Sequence, residues 1–142
     1  MTSSSAFETG PGGEPDAEPR LLCDTGALAD APPQAAGVLW KLAETGRQLD
    51  ANVVRLAPGD RVDSHREPDL DVLVLVVRGD GVLGKGAADA PEPLAEGALC
   101  WLPHGSARSI TAGGHGLTYL TVHRRRPGLR IRSHAAAAPV QT

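Results

Sequence analysis

Aromatic side chains are scarce in this chain, with two tryptophans, one tyrosine and one phenylalanine among 142 residues. Its one basic cluster, His123-Arg124-Arg125-Arg126 followed by Arg130 and Arg132, has no aromatics interleaved. Surfaces that bind single-stranded nucleic acid stack bases on such rings, so no nucleic-acid partner is expected and the cluster reads as a solvated terminus. Cysteine is as rare: Cys23 and Cys100 show neither CxxC spacing nor a Cys/His cluster, which predicts two reduced thiols. No apolar run has the length of a membrane span or the layout of a signal peptide, so a cytoplasmic protein without a membrane partner is expected. Two lysines against twelve arginines, with abundant Ala, Gly and Pro, match the coding bias of a high-GC bacterium, an association rather than a physical inference.

A sustained helical period is missing too, and short apolar strands stand in its place. Asn52 to Leu56, Asp71 to Arg78, Val82 to Gly84, Ala98 to Leu102, Ala107 to Thr111 and Leu117 to His123 are runs of Val, Leu, Ile and Thr bounded by Gly, Pro and Asp. Asp71 to Arg78 is apolar at nearly every position and is expected to be buried on both faces, with Gly79-Asp80-Gly81 as the turn after it. Many short strands with Gly/Pro turns predict an all-β antiparallel sandwich or barrel, in which closure limits exposed edges. The length allows one domain with one modest core. Residues 1–20, rich in Ser, Gly, Pro and Glu, are expected to be a mobile tail, residues 21–126 the barrel with an N-terminal extension, and 127–142 a second tail. Net charge is −3 but uneven: thirteen of the seventeen acids lie in residues 1–71, and eight of the fourteen bases in residues 72–142. Such halves attract each other between subunits, which motivates the expectation of a homodimer.

Two stretches carry a more specific pattern. In the first, Gly59 is followed after five residues by His65, then Glu67, and later by Gly79; in the second, Gly97 is followed by Pro103, Gly105 and Arg108. Together they resemble the paired motifs of the cupin superfamily, over roughly residues 36–126. The resemblance implies a single cupin domain, a double-stranded β-helix or jelly-roll barrel, in which three histidines and a glutamate hold a divalent metal. Here His65 keeps its slot, Glu67 replaces the second histidine, Val72 stands at the glutamate position, Arg108 occupies the last histidine slot, and Ala112 replaces an asparagine further on.

The substituted residues determine the expected chemistry. Period-two alternation puts His65 and Glu67 on one strand face. Val72 cannot ligate, and the Arg108 guanidinium is a permanent cation without a lone pair. No cofactor is therefore favoured, and a hydrogen bond from Arg108 to Glu67 is expected across the former metal position. Spare guanidinium donors would suit an anionic or carbonyl-bearing ligand. The expected ligand pocket comprises His65, Glu67, Arg108, Trp101 and Tyr119, with Trp101 as a core or wall residue.

The alternative is a metal-dependent enzyme, a dioxygenase or isomerase, in which His65 and Glu67 bind a divalent transition metal with Asp71 or His104. The set with Asp71 requires a β-bulge to turn that residue inward. A third reading is a noncatalytic module used for dimerisation or regulation. His104 otherwise reads as a solvent-facing turn residue, His115 and His134 lie in polar or terminal segments, and His123 adjoins the arginine run. Ser106 has no His/Asp relay at a recognisable spacing, and Gly79-Asp80-Gly81 lacks the lysine of a phosphate loop.

Overall fold

Alternation along one strand shows which side faces the core. Val72, Val74 and Val76 are 4%, 1% and 1% exposed, whereas Leu73 and Leu75 between them are 42% and 36% exposed. The expected burial on both faces is thus corrected: the outer face of this strand carries leucine without being covered. The computed structural model describes residues 17–32, 35–86 and 89–126. Arg130, Arg132, His134, the whole 127–142 tail and residues 1–16 of the N-terminal tail lie outside the described residues.

The described chain runs α1 (Thr25–Ala29), β1 (Gly37–Lys41), β2 (Leu49–Leu56), β3 (Arg61–Arg66), β4 (Val72–Gly84), β5 (Glu92–Ala95), β6 (Leu99–Leu102) and β7 (Ala107–Arg124). All the strand pairings are antiparallel. Two long strands organise them. The first part of β4 pairs with β6 and the second half of β7, whose far side carries β2 and then β1; the last part of β4 pairs with β5 and the first half of β7, which also holds β3. The two halves enclose one apolar core that includes Leu70, Val72, Val74, Val76, Leu83, Leu94, Leu102, Ile110, Leu117 and Tyr119. This is the all-β barrel expected from the strand pattern, and its two halves make the double-stranded β-helix that the motif resemblance implies.

Gly79-Asp80-Gly81, expected as a turn, lies inside β4, and the strand passes through it with irregularities between Val76 and Arg78 and between Gly79 and Gly81. Extra residues at such bulges change which side chains face inward, so Leu83 joins the core although it is odd-numbered and Val72, Val74 and Val76 are even-numbered. Gly79 has φ +90°, and a Cβ on it would run into the carbonyl of Gly116 on β7. Only glycine suits both the left-handed backbone and the close approach of the two strands there.

The helix α1 and the strand β5 had no sequence forecast. The five-residue α1 is capped by Asp24, whose Oδ1 accepts from Ala27 N at 3.1 Å. The short β5 includes Pro93, which is tolerated because β5 pairs with β4 alone and lies at an edge.

Replacing Gly79 with Ala is expected to cost roughly 3 kcal/mol, combining the left-handed backbone penalty with overpacking against Gly116. Gly97→Ala, at φ +91° with nothing within 4 Å of the new Cβ, should cost only about 1 kcal/mol. Urea denaturation of both variants gives the ranking; a Gly97 variant as damaged as the Gly79 variant would contradict this account of the strand crossing.

Candidate functional site

Arg108 is the least expected member of the interior. In β7 the residues Arg108, Ile110 and Ala112 are 2%, 2% and 3% exposed, so the alternation that buries an isoleucine and an alanine also draws in the guanidinium. It sits directly opposite His65 of β3 in the strand register. Among the described residues its hydrogen bonds leave Nη1, reaching the Pro103 carbonyl at 3.4 Å, the Ser106 carbonyl at 3.3 Å and Ser106 Oγ at 3.1 Å. The buried Nε has no hydrogen-bond partner among the described residues. Burial pushes the guanidinium below its usual range, and the nearby Glu67 charge offsets part of that effect.

Arg108 borders a cleft of about 470 Å³. One wall is the end of β6 and the turn after it, with Trp101, Leu102, Pro103 and Ser106; the other is the end of β4 with Leu83 to Gly86, closed by Arg66, Ala107 and Asp89. Apolar surface from Leu83, Leu102, Pro103 and Trp101 surrounds a few polar groups, the usual make-up of a small-molecule site. Three lining cations, Arg66, Lys85 and Arg108, face one lining acid, Asp89. Arg66 donates to the Gly105 carbonyl at 2.7 Å, while Lys85 pairs with Glu92 at 3.2 Å. Ser106 Oγ donates to the Pro103 carbonyl at 2.6 Å and accepts from Arg108, which uses the hydroxyl structurally.

Several expected site residues fall elsewhere. Tyr119 is 1% exposed and belongs to the core, not to the cleft wall. Trp101 lines the cleft at 58% exposure, so of its two expected roles, core or wall, it takes that of a wall residue at the rim. His65 and Glu67 are absent from this cleft's lining. His65 faces the same way as Arg108, with Nδ1 2.9 Å from the Asp63 carbonyl. The expected bond from Arg108 to Glu67 is replaced by another: Arg126, just past β7, donates from Nη2 to Glu67 Oε1 at 2.6 Å, and the Asp69 backbone N–H donates to Oε2 at 2.9 Å. Arg124 reaches the Asp69 carbonyl at 3.3 Å, so part of the basic cluster ties the end of β7 to the segment after β3.

The alternative metal ligands do not converge. Asp71 precedes β4 and stays outside because the bulges of that strand begin only at Val76. Its Oδ1 accepts from His104 N at 2.8 Å and lies 2.7 Å from His104 Nδ1, with both side chains about half exposed. These contacts hold the Asp71 carboxyl below its ordinary range. Among the described residues no three His, Cys, Asp or Glu side chains are grouped to hold an ion. Of the four slots implied by the cupin motifs, only His65 and Glu67 carry a donor lone pair; Val72 is buried in the core and Arg108 brings a positive charge.

The fold defines a class. Solved structures similar to this chain include a Bacillus halodurans protein (TM-score 0.65, 15% identity, 82% of this chain and 88% of that one) and a cupin superfamily protein from Desulfitobacterium hafniense (TM-score 0.58, 19% identity, 78% and 93%). A third is described as a sugar phosphate isomerase of a cupin superfamily from Silicibacter pomeroyi (TM-score 0.50, 26% identity, 57% and 53%). The chain therefore has the cupin fold. No protein-family profile and no curated protein matches its sequence. Among the described residues no helix is long and apolar enough to cross a membrane.

Arg66, Lys85, Asp89 and Ser106 were not anticipated in the cleft. Only Ser106 had a local signal, its place between Gly105 and Arg108 in the second motif; the others depend on how distant segments meet.

The Glu67 contacts make a pH prediction. Burial pushes its carboxyl up, but the Arg126 and Asp69 hydrogen bonds and the charges of Arg126 and Arg108 outweigh it, so the net shift is downward. A depressed folded-state pKa gives stability that is complete above the unfolded value and is lost as pH falls through the folded one. The wild-type melting temperature should thus fall more steeply than that of Glu67→Gln below about pH 4, with the two curves converging in acid. Parallel melting curves from pH 7 to 3 would show that the carboxylate adds nothing.

Proposed function

We propose that this chain is a small-molecule-binding protein in which the cupin barrel has exchanged its usual three-histidine, one-glutamate centre for a buried guanidinium. The observation that carries the reading is Arg108, at 2% exposure beside a cleft of about 470 Å³ with an Nε that the described residues leave without an acceptor. A buried polar group without a partner is costly, and since Arg108 is among the cleft-lining residues, a ligand oxygen that reached its guanidinium would offset that cost. The four slots do not fit a transition metal, because Val72 offers no donor and Arg108 repels a cation.

Binding without nucleophilic catalysis suits the same cleft. The Ser106 hydroxyl already donates to a carbonyl and accepts from Arg108, and His65, which could serve as a base, does not border the cleft. A ligand entering past Trp101 would meet apolar walls first and the guanidinium behind them.

Protein purified without chelator should contain iron, zinc, manganese and nickel at far below one equivalent by elemental analysis, and chelator should leave its melting temperature unchanged. In a thermal-shift screen of small organic acids, amides and sugars, compounds that raise the melting temperature should lose that effect in Arg108→Met. A tightly held equivalent of metal, or ligand stabilisation indifferent to Arg108, would reject the reading.

A further inference from the structure

We infer that the cleft selects a small organic monocarboxylate with a flat apolar body, an inference that rests on reading this cleft as the ligand site. The head group follows from the hydrogen bonds of Arg108. Nη1 makes three contacts with the turn after β6, and the edge of the guanidinium that carries Nε makes no hydrogen bond to the described residues. A carboxylate presents two coplanar oxygens to such an edge and neutralises the charge at the same time. An amide or ketone satisfies one donor and leaves the charge standing.

The surroundings favour one negative charge over two. The Pro103 and Ser106 carbonyl oxygens already point at the guanidinium and would repel the additional oxygens of a phosphate. Phosphate sites are commonly built from several converging backbone N–H groups, whereas the turn contacts to Arg108 come from acceptors. The remaining cations are suited to a single charge as well. Lys85 is neutralised by Glu92, and Arg66 donates to the neutral Gly105 carbonyl, which leaves a positive but modest field against Asp89.

The shape of the body follows from the walls. Leu83, Leu102 and Pro103 offer no hydrogen-bonding side chains, and the Trp101 ring lies on the rim at 58% exposure. An indole there provides a flat apolar face on which a planar group can stack. The volume of about 470 Å³ is within the range of small-ligand pockets and takes a ring-sized acid with room to spare.

The chain has two tryptophans, so a Trp40→Phe variant leaves Trp101 as the only indole reporter. Titration with benzoate should change its emission saturably, and benzamide, of equal size and neutral, should bind at least about tenfold more weakly. Arg108→Lys, which keeps the charge but removes the fork, should weaken benzoate about tenfold or more. Inorganic phosphate should not compete, and added sodium chloride should weaken benzoate more than benzamide. Circular dichroism checks that the Arg108 variant is folded; if it is not, the ratio of benzoate to benzamide affinity on the parent protein decides alone. Equal affinities, or phosphate binding more tightly than benzoate, overturn the carboxylate assignment while leaving the small-molecule reading intact. Absence of binding by both ring compounds at millimolar concentration overturns the two together.

Discussion

A guanidinium withdrawn from water governs the interior of this barrel. Moving an ion from solvent into protein costs several kcal/mol even after relaxation, and attraction to a partner repays it only when geometry and hydrogen bonds are good. Arg108 has partial repayment: three contacts from one nitrogen, two of them at 3.3 and 3.4 Å, and a carboxylate that acts on it through space without touching it. A buried donor left unpaired costs about 1–3 kcal/mol, more when the group is charged. The fold tolerates this because β7 fixes the position: the strand alternation that buries Ile110 and Ala112 leaves residue 108 no outward option.

The long strands set where that charge lies relative to the cleft. β4 and β7 each run through both halves of the barrel, and they cross closely where Gly79 meets Gly116. Downstream of that crossing, β4 delivers Leu83 to Gly86 to one side of the cleft, while the turn between β6 and β7 delivers Pro103 and Ser106 to the other. The cleft is therefore bounded by segments whose spacing is fixed by strand pairing. A rigid frame of this kind holds the polar groups that line the cleft at fixed positions.

Much of this architecture was legible in the sequence because its causes are local. Runs of Val and Leu bounded by glycine and proline located most strands, and the glycine spacings around His65 and Arg108 pointed to the barrel. The errors arose where local pattern is ambiguous. Gly79-Asp80-Gly81 has turn chemistry, yet a glycine with φ +90° serves a bulged strand equally well when another backbone must come close. Leu73 and Leu75 are apolar, which suggested burial, but hydrophobicity does not decide what covers a sheet face. Trp101 and Leu99 lie opposite these leucines on β6 and are likewise exposed. In the site, strand parity paired His65 with Glu67, whereas the register sets His65 opposite Arg108. It could not show that Arg126, sixty residues further on in the chain's path from β3, would claim Glu67.

That last contact has the largest chemical consequence. A direct Arg108–Glu67 pair would have closed the interior electrostatically: the guanidinium fork would be filled, the net charge near zero, and an incoming anion would have to displace a carboxylate already in place. Instead Arg126 and the Asp69 N–H occupy the Glu67 oxygens, and Arg124 reinforces the same junction through the Asp69 carbonyl. Glu67 then stabilises the Arg108 charge from a distance without using its donors. The acid that in other circumstances would neutralise the guanidinium is held by the end of β7, and this division between two arginines leaves the Arg108 fork unfilled by Glu67 while the Glu67 charge still acts on it.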